Sequence, residues 1–128
     1  MKLNTFEYKG ASNVAVKLTK HGRGLFATSN IPKNFTIENV PVVEFCECVS
    51  NHLIEEACGE KFIGWKTENN SINSIAVACG VLMMCNHSEN SNAKIIRNLT
   101  NNSASLISTT DIQINEEITI EYLLIKTF

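Results

Sequence analysis

The chain has 128 residues, 44% of them hydrophobic and 19% charged, with a formal charge of −2 at neutral pH. That length fits one domain able to bury roughly two thirds of its unfolded surface, and that composition excludes a disordered chain. The faintly acidic balance leaves no basic stripe for direct nucleic-acid binding, and no apolar run is long enough to span a bilayer, so neither partner is expected. A basic protein suits such a surface better. Asn4, Glu7 and Lys9 interrupt the apolar core that a secretory signal needs, and five cysteines without even, disulfide-like spacing fit a reducing compartment. The expectation is an intracellular, soluble protein of the cytoplasm or of a nucleus, its own or a host's.

In chain order, Val14, Val16 and Leu18 alternate with other residues and predict a strand. "HGRGLFATSNI" follows, where Gly22 and Gly24 flank Arg23 and lead into a second strand through Leu25, Phe26 and Ala27. The third glycine and the helix of a dinucleotide fingerprint are missing. Gly-x-Gly is then either a plain turn or backbone stripped of Cβ atoms so that a small ligand can approach closely.

"VVEFCECV" predicts another strand, with Cys46 and Cys48 on one face. Structural zinc pairs have two or more intervening residues, and neither Cys46-x-Cys48 nor Cys85-x-His87 does, so no metal is expected. Ser50 to Trp65 predicts a helix: Ser50 caps it, and Leu53, Ile54, Ala57, Cys58, Phe62 and Trp65 share one face. A polar loop, Lys66 to Asn73, comes next.

The apolar run Val81 to Cys85 then breaks into "NHSENSNAK". A histidine delivered this way fits a metal site, a Cys/His nucleophilic pair or a pocket for an uncharged polar ring. Spacing disfavours the first. The second lacks a glycine-framed elbow around Cys85, and catalytic Cys/His pairs are usually distant in sequence. Two further strands are predicted around Leu106 and Ser108 and around Ile118, Ile120 and Tyr122.

Two distant segments also resemble each other, "NIPKNFTIENV" from Asn30 and "DIQINEEITIEY" from Asp111. Ile31 matches Ile112, Asn34 matches Asn115 and Ile37 matches Ile118. Asparagine is the non-glycine residue best suited to left-handed backbone angles, so each segment predicts a tight turn between strands in a mainly β domain.

Three of these stretches, "GRGLFATSNIPKN", "CNHSENSNAK" and "INEEITIEY", occur in an order that resembles the SET-domain protein lysine methyltransferases. That family shows G-x-G-[VL]-F-A, then N-H-S-x-x-P-N-A, then G-E-E-[IL]-T-x-x-Y. The likeness spans about residues 14 to 122 and looks closest to compact stand-alone members from viruses and bacteria, without a flanking zinc-binding region. It implies a single SET domain over 1–128: mainly β, of small β-clip-like sheets with a C-terminal pseudoknot and one or two short helices.

The resemblance further implies an S-adenosylmethionine-dependent transfer of methyl groups to a lysine of a histone or another basic protein. The matched Gly22, Arg23 and Gly24 line the methionine part of the cofactor, Asn86 and His87 hold its amino and adenine ends, and Tyr122 stands at the methyl-transfer site as the catalytic residue. A second copy of the chain is a further candidate partner. Three departures stand out. Asn34 and Asn115 replace turn glycines, Ser91 replaces a proline, and only Leu123 to Phe128 follow Tyr122, where many members complete the lysine channel with a longer tail. The rival expectation is a SET-like module that binds peptide or cofactor without turnover.

Overall fold

The structure, a computed structural model, describes residues 8–20, 22–45, 62–68 and 71–121, with backbone alone at 71 and 72. Its strands are β1 Val14–Thr19, β2 Gly22–Ala27, β3 Thr36–Glu44, β4 Ile63–Gly64, β5 Thr67–Glu68, β6 Ser71–Ile72, β7 Ile75–Ala78, β8 Asn86–His87, β9 Ala93–Asn98, β10 Ser103–Ser108 and β11 Glu117–Ile120. Between β7 and β8 lies one 3-10 turn, Val81–Met84. The strands form a four-stranded sheet in the order β1-β2-β11-β8, a five-stranded sheet in the order β4-β7-β3-β10-β9, and the ribbon β5-β6. The mainly β expectation holds.

The two look-alike segments are the corners of an exchanged pair. In each half a hairpin (β1-β2 or β9-β10) is followed by a corner and a third strand, and the third strand pairs with the other half: β3 with β10, β11 with β2. The corners meet at Ile31 and Ile112, each of whose N–H groups donates to the other's carbonyl at 2.8 Å. Around them the bonds repeat. Asn34 N–H reaches Ser108 O at 2.9 Å and Asn115 N–H reaches Ala27 O at 2.8 Å. Ile114 N–H donates to the Asn30 side chain and Lys33 N–H to that of Asp111, both at 2.8 Å. Asn34 and Asn115 take φ of 64° and 71°, the left-handed angles expected of them.

Packing follows the same symmetry. Leu25 and Leu106, Ile31 and Ile112, and Ile37 and Ile118 are buried partners at the same sequence spacing, and they form the centre of the core. Each contributes roughly 1.5–3 kcal/mol of apolar burial.

The strand expected at Val14, Val16 and Leu18 is β1; it lies on a sheet edge, where Val16 and Leu18 are 42% and 84% exposed and only Val14 packs against the core. Two other expectations need correction. The end of the expected helix is extended instead, because Ile63 and Gly64 pair with Ala76 and Ile75 of β7. Residues 46–61, with Cys46, Cys48 and most of that helix, lie outside the described residues. The expected loop at Lys66 to Asn73 is organised as a hairpin, with Thr67 opposite Ile72 and Glu68 opposite Ser71. Short polar strands carry little alternating signal, so the ribbon had no sequence signature.

Candidate functional site

Strand β11 is the hinge of the candidate site. It pairs antiparallel with β2 only at Glu117–Phe26 and Ile118–Leu25, then parallel with β8 at Thr119–Asn86 and Ile120–His87. The two ladders diverge there, and Gly24 sits at the fork, with Gly22 and Arg23 exposed on the free half of β2. The second and third motifs, distant in sequence, are thus laid side by side. Ser88 N–H extends the parallel ladder by donating to Ile120 O at 2.9 Å.

At the fork the Asn86 amide nitrogen, Nδ2, donates to Glu117 Oε2 at 2.7 Å. A Cβ on Gly24 would stand 2.7 Å from that same carboxylate oxygen and 3.2 Å from Asn86 Nδ2. Glycine is required at 24 by space, for the close approach of this pair. Gly22 is required by conformation, with φ of 100°. Asn86 is half-buried and His87 exposed at the rim. Tyr122 lies outside the described residues, directly after Glu121.

Asn92, which sequence reasoning did not single out, holds the fork together. Its Oδ1 accepts from Thr119 N–H at 2.9 Å, and its Nδ2 donates to Glu117 O at 2.8 Å and Glu116 Oε2 at 3.1 Å. A buried carboxamide here stands in for a strand partner. The sequence places Glu116 and Glu117 in the turn as solvated residues or as acceptors tying the motifs together. The structure supports the second role, each carboxylate taking an asparagine amide.

Cys85 has no exposed surface, and burial, reinforced by the Glu38 and Glu117 carboxylates, pushes its thiol far above the ordinary range. Both the metal and the nucleophile readings need a thiolate, and this environment opposes one. Among the described residues, no group of three or more His, Cys, Asp or Glu side chains is arranged to hold a metal. No helix among them is long and apolar enough to cross a membrane.

A cavity of about 250 Å³ lies beyond the other end of β11, walled by Ile63 and Gly64 of β4, Ala93 and Ile95 of β9, and Ile120 and Glu121. None of Gly22, Arg23, Gly24, Asn86 or His87 lines it. β4 and β9 are the two edges of the five-stranded sheet, which curls until they face each other. Arg97 staples the seam, donating from Nη1 to the Gly64 and Trp65 carbonyls at 2.9 Å each. Fork and cavity are therefore neighbouring sites joined by the last residues of β11.

The residues at the fork suit S-adenosylmethionine. A carboxamide and a carboxylate face a Cβ-free strand edge, an acceptor-rich setting for a cationic amino acid moiety, and exposed His87 borders it. The SET-domain family model matches residues 22–123. No curated protein matches the sequence. In three dimensions 236 solved chains match, so the architecture is a widely shared one. Among them is a crystal structure of a Plasmodium falciparum protein provisionally named a histone methyltransferase. Its TM-score is 0.63 at 25% sequence identity, covering 91% of this chain and 95% of that one. With the ordered motifs, the exchanged hairpins and a family match over most of its length, the chain belongs to the SET-domain family of protein lysine methyltransferases.

Proposed function

We propose that the protein transfers a methyl group from S-adenosylmethionine to a lysine side chain in a basic protein, a histone tail being the model substrate. The observation that carries this reading is the pairing of sites across β11: an acceptor-rich fork at Gly24, Asn86 and Glu117, and a largely apolar cavity ending at Glu121. Bound at the fork, the cofactor supplies an electrophilic methyl group on a sulfonium. Gly22, Arg23 and Gly24 would lie along its methionine part, and Asn86 and His87 would hold its polar ends.

The chain's task is then to present an uncharged amine in line. A lysine with an ordinary pKa near 10.4 costs about 3 kcal/mol to deprotonate at pH 8. Apolar walls from Ile63, Ala93, Ile95 and Ile120 lower that cost by desolvating the ammonium. Holding donor and acceptor collinear supplies about 7–11 kcal/mol of the barrier. Tyr122, next after the cavity residue Glu121, would orient the reacting groups through its hydroxyl. The overall charge of −2 favours a basic protein as the substrate.

Radiolabelled methyl transfer to histones and to a cell lysate tests this, with Tyr122→Phe alongside wild type. Label on protein, strongly reduced in the variant, is expected. Cofactor binding with no labelled protein would leave a non-catalytic cofactor-binding module and end the enzyme reading.

A further inference from the structure

We propose that Glu38, remote in sequence from all three motifs, is the positioning residue that sets cofactor affinity, acting through the 3-10 turn that delivers Asn86 and His87. This rests on the reading of those two residues as cofactor-holding.

Glu38 lies on β3, the central strand of the five-stranded sheet, and is 3% exposed. It has no ion pair among the described residues. A carboxylate buried in this way is costly unless its oxygens find donors. Both do. Oε1 accepts from Leu82 N–H at 2.8 Å and Oε2 from Val81 N–H at 3.1 Å. These are the first N–H groups of the 3-10 turn, which find no partner inside it. Gly80, in the capping position, has no side chain to satisfy them.

Gly80 makes the arrangement possible. Its backbone is extended, at φ −169°, so any residue could adopt it. Yet a Cβ there would stand 2.7 Å from Glu38 Oε1 and 2.6 Å from Val40 Cγ1. Glycine at this position leaves room for the carboxylate.

The anchored turn runs straight to the site. Leu82 is fully buried, Cys85 N–H donates back to Leu82 O at 3.2 Å, and Asn86 follows at once. Downstream the segment is tied by Asn86 to Glu117 and by the ladder to β11. One carboxylate from each half of the exchanged fold therefore holds the 81–87 segment, Glu38 at its start and Glu117 near its end. Loosening the first end shifts Asn86 and His87 relative to Gly24 while leaving the cavity walls on β4 and β9 in place. The consequence falls on cofactor binding more than on the transfer step.

The test compares wild type with Glu38→Gln and Gly80→Ala, all first shown to be folded by circular dichroism melting. Glu38→Gln keeps one acceptor and turns an amide donor toward a backbone N–H; Gly80→Ala displaces an intact carboxylate. Calorimetry with S-adenosylmethionine should give a dissociation constant raised about tenfold or more in both, the scale of a lost charge-assisted hydrogen bond. Under saturating cofactor kcat should stay within about threefold while KM for the cofactor rises in step with that constant. Amide hydrogen exchange should quicken selectively over residues 81–88. Unchanged cofactor affinity in both variants overturns the proposal even if their melting temperatures fall, because Glu38 would then be structural only. Wild type that binds no S-adenosylmethionine removes the methyltransferase reading instead. In that event exchange decides whether Glu38 positions the segment: quickening confined to 81–88 supports it, and a chain-wide change overturns it.

Discussion

Asn86 donates to Glu117 at 2.7 Å directly above the Cα of Gly24, so one hydrogen bond joins the second and third sequence motifs across the first. Gly24→Ala tests this contact. Its methyl group meets Glu117 Oε2 at 2.7 Å and must part the pair. The expected result is S-adenosylmethionine affinity lowered about tenfold or more by calorimetry, with a stability loss of about 1–3 kcal/mol from overpacking.

Asn92 makes three bonds that no other side chain near β11 supplies. Asn92→Ala leaves Thr119 N–H and two acceptors without it, at about 1 kcal/mol per bond, so urea denaturation should report about 2–4 kcal/mol of lost stability. Asn92→Asp should be no better, because a carboxylate keeps the Thr119 bond but faces Glu116 and the Glu117 carbonyl with acceptors alone.

Asn34 and Asn115 hold left-handed angles at equivalent corners. Alanine at either should cost about 1–2 kcal/mol, whereas glycine should stay within about 0.5 kcal/mol of wild type. Equal effects at the two corners would support their structural equivalence. Chemical denaturation of the four variants measures it.

The Cys85 thiol is held protonated in the folded chain, whereas its ordinary value is 9.0. Above that pH the unfolded chain ionises and the folded chain does not, so unfolding is favoured as pH rises. Stability should fall by up to about 1.4 kcal/mol per pH unit from this group. Cys85→Ala should flatten the slope between pH 9 and 10 in urea melts, after subtracting the loss from the smaller side chain. Exposed Cys79 should react with a thiol reagent in the native state, and Cys85 should not.

The corners were readable because a turn needing left-handed angles admits few residues, and asparagine announced it twice. Buried strands such as β10 and β11 were readable because alternation records which face is covered. β1 has the same alternation without the burial, since an edge strand's cover depends on what lies beside it. Glu38 and Asn92 were not readable as site residues, and Glu117 was readable only as one of two alternatives, a solvated turn residue or an acceptor tying the motifs together. A carboxylate or carboxamide in sequence looks solvated until its donors are known, and here those donors come from segments far along the chain.

By itself the sequence determined the family motifs, the two corners and the apolar residues of the core, because these depend on local backbone angles and on periodic burial. Tertiary structure alone decided that the halves exchange their third strands, that β11 divides its pairing between β2 and β8, and that Asn86, Asn92, Glu116 and Glu117 lock the fork. Those outcomes rest on hydrogen bonds between residues distant in sequence, whose partners only folding selects.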